Sequence, residues 1–547
     1  MSQVVIIGAG IGGVGFAIAL KRRLGFDDFT VYEKGSDVGG TWRDNIYPGA
    51  SSDVPIHLYS LSTDLNPDWP STHGSQKQIY DYWRRLATKY EVYPHIVFNR
   101  RVVAAGWSAE EGLYHVVTED VESGVRFPTT AKILISALGV LHVPRLPNIP
   151  GISSFQGKMF HSAQWDTGVD LRGKRVAVIG NGTSAVQFIP LISEDSTVQI
   201  TEFCRTPNWL VPPVTICFFC RNEPPTNFGI LFCFQIRADF SRPWRWTFKY
   251  VPLAMRIYRL FLYLRTEMIY LTVFASPRIR SRSSALLKKY IMHTAPKENH
   301  ERLFPDYALG CKRIIINQNY LEALHRPNLT LNWDGIQSIR EDGIVTKKGE
   351  TIQVDVLIFA TGFAVDRYPL AVVGDAGKTV QEYYDSQGGP KAYLGATVPG
   401  FPNLFLIGGP NLGTGHTSAI LTGELETGYI LQFVKPILDG LVSTFEVTAV
   451  ATNEYNDLIQ RRLARSVFVQ CLSWYRTDGE GKVSSIFPGP MLLYGWWVRR
   501  PRWEDYIVKA PTDKWERKMW REKWMAYLSP ILYLDLLLGF FISWISG

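Results

Sequence analysis

Apolar residues along this chain follow a pattern that stops, restarts and breaks. A β-branched run from Gln3 to Ile7 leads into Gly8-Ala9-Gly10-Ile11-Gly12-Gly13, then an apolar helical pattern through Leu24. A second strand-like run, Phe29 to Tyr32, stops at Glu33. The predicted order is strand, glycine turn, helix, strand, acid. Another strand is expected over Lys132 to Ser136, ahead of a proline-rich link from Val143 to Pro150. Beyond the link the order restarts with a strand (Arg175 to Ile179), a turn (Gly180-Asn181-Gly182-Thr183-Ser184-Ala185), a helix to Ile192 and a strand (Val198 to Phe203). Short apolar runs that alternate with helical stretches predict parallel sheets.

The pattern breaks between about Leu210 and Pro305. Aromatic residues and long helical stretches such as Val251 to Phe274 predict an inserted helical subdomain there. Regular α/β sequence resumes at Arg313, with strands expected at Val354 to Phe359 and Leu404 to Ile407. The expected fold is α/β, two Rossmann-like dinucleotide-binding domains with a helical insertion and a C-terminal extension. Residues 1–145 would begin the first domain, 146–335 would hold the second with its insert at about 210–305, 336–450 would complete the first, and 451–547 would form the extension with its apolar tail.

Composition narrows the class. The chain has 547 residues, 46% hydrophobic and 20% charged, which predicts a globular protein of more than one core. Aromatics reach 13%, with 17 Trp and 26 Tyr, and this points to ring-lined cavities or a membrane-facing surface. A net charge of +8 comes without any recognisable nucleic-acid reading motif, so an anionic cofactor or a membrane surface accounts for it better than DNA or RNA. Six cysteines do not make a disulfide framework, and Met1-Ser2-Gln3 runs straight into a strand. Together these point to an intracellular, reducing compartment. Cys217 and Cys220 form a lone C-x-x-C inside apolar sequence, with no second pair at zinc spacing, so no metal site is expected.

Each glycine motif follows a strand and opens a helix, so backbone N–H groups and a helix N-terminus can face a diphosphate. Gly8 and Gly180 make the tight turn, Gly10 and Gly182 let phosphate approach the backbone, and Gly13 and Ala185 let helix pack on strand. Thr183 and Ser184 open the second helix beside its phosphate turn. Twenty residues beyond Gly13 stands Glu33, a carboxylate able to accept from a free ribose 2′-OH; twenty beyond Ala185 stands Arg205, a cation suited to a 2′-phosphate. The same offset with opposite charge assigns FAD to the first fold and NADPH to the second.

The link between the folds, Phe155-Gln156-Gly157-Lys158-Met159-Phe160-His161-Ser162-Ala163-Gln164-Trp165-Asp166, fits F-x-G-x-x-x-H-x-x-x-W-[PD] at every fixed position. On this motif the chain resembles the type I Baeyer–Villiger monooxygenases, most closely the 4-hydroxyacetophenone monooxygenase-like branch. The resemblance runs from Val4 to about Pro490. It implies that Gly39-Gly40-Thr41-Trp42 and Tyr47-Pro48-Gly49 lie along the flavin, with Asp53 in the active site and Tyr59 on the flavin. Val102 would meet the adenine of FAD through its backbone. Arg205-Thr206-Pro207 and Lys312 would grip the NADPH 2′-phosphate, and Arg313 would be the catalytic group. His161 reads as a hinge residue that couples domains and not as a proton donor. Gly415-His416-Thr417-Ser418 and Cys471-Leu472-Ser473-Trp474-Tyr475 resemble later family segments near the cofactors.

The resemblance implies that NADPH reduces FAD, that O2 adds to give a C4a-peroxyflavin, and that this attacks a carbonyl carbon to yield an ester or lactone. A fixed cation beside the reacting centre stabilises the negative charge; Arg313 suits this because guanidinium stays ionised and keeps a rigid donor fork. Asp53 would orient it. Partners are then O2 and a hydrophobic small molecule. Oxygenation of a heteroatom or C=C bond, and a non-catalytic NADPH-sensing flavoprotein, stay open beside this reading. From Trp524 to Ile545 the sequence is apolar but for Ser529, Pro530, Asp535 and Ser543, after a basic stretch with Arg517, Lys518, Arg521 and Lys523. An interfacial helix or marginal tail anchor is expected, which leaves the basic flank cytoplasmic; the alternative is a buried helix that closes the substrate cavity.

Overall fold

In the computed structural model, which describes residues 2–213 and 238–528, the two restarts become two separate five-stranded sheets. In the first, Val4–Ile7 lies between Phe29–Tyr32 and Ile133–Ser136, with Ile96–Val97 and Leu404–Leu406 at the edges and every pairing parallel. Val4, Val5 and Ile6 are fully buried. A strand covered on both faces has no polar side, so it reads as an unbroken apolar run. In the second sheet Arg175–Ile179 lies between Gln199–Phe203 and Val356–Phe359, with Leu329–Asn332 and Lys158–His161 at the edges, again all parallel. Each central strand has neighbours that follow it by very different chain distances. That creates a switch point beside each glycine turn, where α/β sheets bind ligands.

The second unit extends further than the division at 335/336 expected. Val356–Phe359 pairs with Arg175–Ile179, and the small antiparallel sheet Ile336–Arg340, Gly343–Thr346, Thr351–Gln353 packs through Ile339 and Ile344 against Ala177, Ile179 and Leu357. Chain position gave no sign of this, because the strand's partner lies about 180 residues earlier.

The insert is helical as expected: Arg242–Tyr250, Ala254–Ile269 with a wider-wound continuation over Tyr270–Phe274, and Pro277–Thr294. One face of the middle helix is clamped to the first unit and to the extension. Arg259 donates to the carbonyls of His57 and Ser60, both at 2.6 Å, and pairs with Glu424 at 3.1 Å. Thr266 donates to Thr417 Oγ1, and Glu267 accepts from the Met491 N–H at 3.0 Å. At the C-terminal end, Tyr506–Lys509 pairs antiparallel with Thr444–Val447, and Trp503 and Trp515 stack around Phe445. The tryptophan-rich part of the extension around Trp503 and Trp515 is therefore core.

One disulfide is present among the described residues, Cys311–Cys471, and Cys204 is a buried free thiol. A single pair is not a framework, and because 160 positions separate its two cysteines no spacing signature announces it. Cys217 and Cys220 lie outside the described residues, as does the apolar tail from Ser529. Within the described residues no helix is long and apolar enough to cross a membrane.

Candidate functional site

Gly8 and Gly180 hold φ near +97° and +106°, and a Cβ on either would stand 2.8 or 2.6 Å from the carbonyl oxygen of Ala137 or Ala360. Only glycine serves there. A Cβ on Gly13 would fall 1.9 Å from the Gly8 carbonyl oxygen, so this glycine lets the helix Ile11–Ala19 seat on its strand. Gly10 and Gly182 differ. The nearest atom to a Cβ on Gly10 would be 3.8 Å away, and on Gly182 nothing lies within 4 Å. Here the missing side chain leaves an open cradle at a helix N-terminus, the room that a diphosphate requires.

Behind the first cradle, buried Glu33 accepts from the Ala9 N–H at 2.7 Å, from the Gly35 N–H at 2.8 Å and from Arg43 at 3.0 Å. These bonds fix the carboxylate at the end of its strand, with lone-pair capacity left for a ribose hydroxyl. Behind the second cradle, Lys312 Nζ donates to Thr206 Oγ1 at 2.8 Å and sits 4.5 Å above the Tyr307 ring. Burial, and then repulsion from Arg205, push the Lys312 ammonium below its usual range. A lysine ammonium held close to an arginine forms a site for an anion, and a phosphate monoester is such an anion. The residues present thus fit one adenosine ribose with a free hydroxyl and one that is phosphorylated.

Between the cradles Arg313 meets Asp53, 260 positions away, with Nη2 and Nε both donating to Oδ2 at 2.5 and 3.1 Å. Arg313 Nη1 also reaches the Thr414 carbonyl at 3.5 Å. About 26% of the Arg313 side chain and 20% of Asp53 stay exposed at the cavity wall. Burial would raise the Asp53 carboxyl, but the neighbouring guanidinium outweighs it and holds the group below the usual carboxylate range. Asp53 in turn raises Arg313. Both are charged at any working pH. In the same wall, burial pushes the phenols of Tyr59 and Tyr475 up to about 12, so both are neutral donors. Tyr59 accepts from Trp42 Nε1 at 3.1 Å, with the rings edge to face.

A single cavity of about 2100 Å³ joins these parts. Every expected site residue lines it, including Thr41, Val102, Thr183 and Ser184, except Gly13, which lies in the seat of its helix. Val102 sits at a β-bulge of the strand Arg100–Ser108. His161 is not in the lining; its Nδ1 accepts from the Ala163 N–H at the end of an edge strand. Sequence reasoning missed three features. The disulfide ties the Lys312–Arg313 loop to the segment Leu472–Tyr475, which also lines the cavity. Tyr307 supplies the ring under Lys312. Tyr47 Oη donates to Gln187 at 2.8 Å and bridges the two units. Tyr47 stood in a quoted motif; Tyr307 carried no signal.

Residues 1–216 match the family described as flavin-binding monooxygenase-like. The chain is 34% identical over 517 residues to a Baeyer–Villiger monooxygenase of Streptomyces coelicolor, which covers 93% of each chain. It is 36% identical over 493 residues to a Baeyer–Villiger monooxygenase of Pseudomonas aeruginosa, which covers 89% of this chain and 88% of that one. Its fold matches the crystal structure of OTEMO in complex with FAD and NADP with a TM-score of 0.77 and 25% identity, over 93% of this chain and 99% of the other. With two nucleotide cradles of opposite charge and an arginine–aspartate pair between them, the chain belongs to the Baeyer–Villiger monooxygenases, FAD- and NADPH-dependent enzymes of the flavin-binding monooxygenase-like family.

Proposed function

We propose that this protein inserts one oxygen atom of O2 beside the carbonyl of a bulky hydrophobic ketone to give an ester or lactone, with Arg313 as the catalytic cation. The observation that carries the reading is the Arg313–Asp53 pair exposed in the wall between the two cradles. FAD reduced by NADPH supplies the O2 activation that no side chain offers. The chain's own residues bind, orient and stabilise. Gly8, Gly10 and Glu33 hold the adenosine end of FAD, with Val102 beside it, while Thr41, Trp42 and Tyr59 wall the flavin. Gly180, Gly182, Thr183 and Ser184 hold the NADPH diphosphate, and Arg205, Thr206 and Lys312 take its 2′-phosphate. Arg313 stabilises the negative charge that develops on the substrate oxygen when the carbonyl carbon is attacked, and Asp53 fixes the guanidinium in place. The apolar, aromatic lining supports a hydrophobic substrate.

The proposal extends to an intracellular enzyme in contact with the cytoplasmic face of a membrane. The basic residues Arg517, Lys518, Arg521 and Lys523 ahead of the apolar tail support it. The test is a panel of ketones with NADPH and 18O2, read by mass spectrometry: one labelled oxygen beside the former carbonyl is expected. Label on a sulfur or nitrogen atom, or across a double bond, with no ester formed, would replace this reading with the broader flavin monooxygenase one. Flavin bleaching by NADPH with no O2 uptake would make the protein a sensor.

A further inference from the structure

The chain's positive charge is concentrated in one segment. Between Phe240 and Met292 there are eleven Lys or Arg and one acid, Glu267, a balance of +10 against +8 for the whole chain. Everything else therefore sums to −2. Glu267 is buried against the Met491 N–H, so the exposed charge of the segment from Phe240 to Met292 is basic alone.

The same segment carries a continuous apolar surface. On the helix Ala254–Ile269 and its continuation to Phe274, Ile257, Phe261, Leu264, Met268 and Leu271 are each 50–64% exposed. Their spacing of four, three, four and three places them in one stripe about 21 Å long. The opposite face bears Arg259 and Thr266, bonded to the first unit, and Glu267, bonded to Met491 of the extension, so the stripe cannot roll inward. At the head of the stripe Trp244, Trp246, Tyr250 and Leu253 are 53–60% exposed, interleaved with Arg242, Arg245 and Lys249. Exposed Arg278, Arg282, Lys288 and Lys289 follow on the next helix.

We propose that this face of the insert docks on an anionic lipid bilayer. The stripe lies in the acyl boundary, Trp244, Trp246 and Tyr250 sit at headgroup level, and the surrounding Lys and Arg meet lipid phosphates. Large apolar side chains in register, with a Trp/Tyr fringe and a one-sided basic rim, match an interfacial helix. Other occupants fit less well. A second copy would bring +10 against +10, and a nucleic acid would satisfy the charge but leave the stripe in water. The inner face of this helix packs through Leu262 and Tyr263 on Val54, Leu58 and Tyr59, part of the cavity wall. Docking therefore brings the bilayer close to the site; only the entry of a lipid-dissolved ketone from there depends on the ketone reading. This surface is distinct from the C-terminal tail.

The test uses the full-length, flavin-loaded protein and co-sedimentation with phosphatidylcholine vesicles that contain or lack phosphatidylserine. Wild type is expected to sediment with the anionic vesicles and to be released as salt rises. Arg245→Gln and Lys249→Gln should each weaken partitioning about five-fold, and the double variant Phe261→Glu/Leu264→Glu should abolish it. Val121→Glu/Val125→Glu, at exposed apolar positions outside the insert, should leave it unchanged. Flavin content and bleaching by NADPH should stay at wild-type values in all of them, which shows correct folding and separates this test from the monooxygenase reading. The proposal is overturned if wild type ignores anionic vesicles, if the Phe261/Leu264 variant sediments like wild type, or if that variant only dissolves a dimer.

Discussion

At Arg313 two requirements meet: the guanidinium must stay charged, and it must keep one orientation beside the cavity. Chemistry meets the first and Asp53 the second, through two donors on one carboxylate oxygen. Arg313→Ala should retain yellow protein that NADPH bleaches, while ester formation falls by about 10²–10³; a product assay at normal rate would end the assignment. The phosphate site makes a pH prediction. The Lys312 ammonium titrates below its ordinary value of 10.5, and a bound phosphate favours the charged form. NADPH affinity is thus full below the Lys312 pKa and is lost as pH rises through it. NADH, which lacks the phosphate, should show no such loss. Measuring KM for both cofactors against pH checks this, and Lys312→Ala should raise KM for NADPH alone and remove its pH slope.

At the scale of elements, the two phosphate turns make separable predictions. Gly13→Ala puts a methyl 1.9 Å from a backbone carbonyl, so the helix must leave its strand and the protein should be recovered without flavin. Gly182→Ala meets nothing within 4 Å, so the fold and the yellow colour should survive while the cradle fills. Because both nicotinamide cofactors share the diphosphate, KM should rise for NADPH and NADH alike, unlike the Lys312 variant. The disulfide joins the loop of Lys312 and Arg313 to the segment before Tyr475. Cys471→Ser should cost about 2–4 kcal/mol, read as a lower thermal midpoint that a reducing agent reproduces in wild type.

At the scale of the molecule, one cavity serves two nucleotide folds because the loops that meet there come from distant parts of the chain. Asp53 comes from the first unit, Lys312 and Arg313 from the return after the insert, and Tyr475 from the extension. The insert's inner face braces this wall while its outer face carries the charge and the apolar stripe. The central strands of both sheets, the helical insert and both cradles were legible in the sequence; the edge strands Ile96–Val97, Lys158–His161 and Leu329–Asn332 were not. The boundary near residue 336, the disulfide and the packing of Trp503 to Trp515 on Phe445 were not, since each depends on partners far away in the chain.

By itself the sequence determined which backbone could turn where, and which charge stood behind each turn. These depend on glycine conformation and on fixed offsets of a few residues to about twenty, which local structure preserves. Only the tertiary structure decided that Arg313 touches Asp53, that Lys312 lies beside Arg205, and that the insert's stripe faces outward. Those contacts span up to 260 positions, and the packing of whole units, which no local preference encodes, sets them.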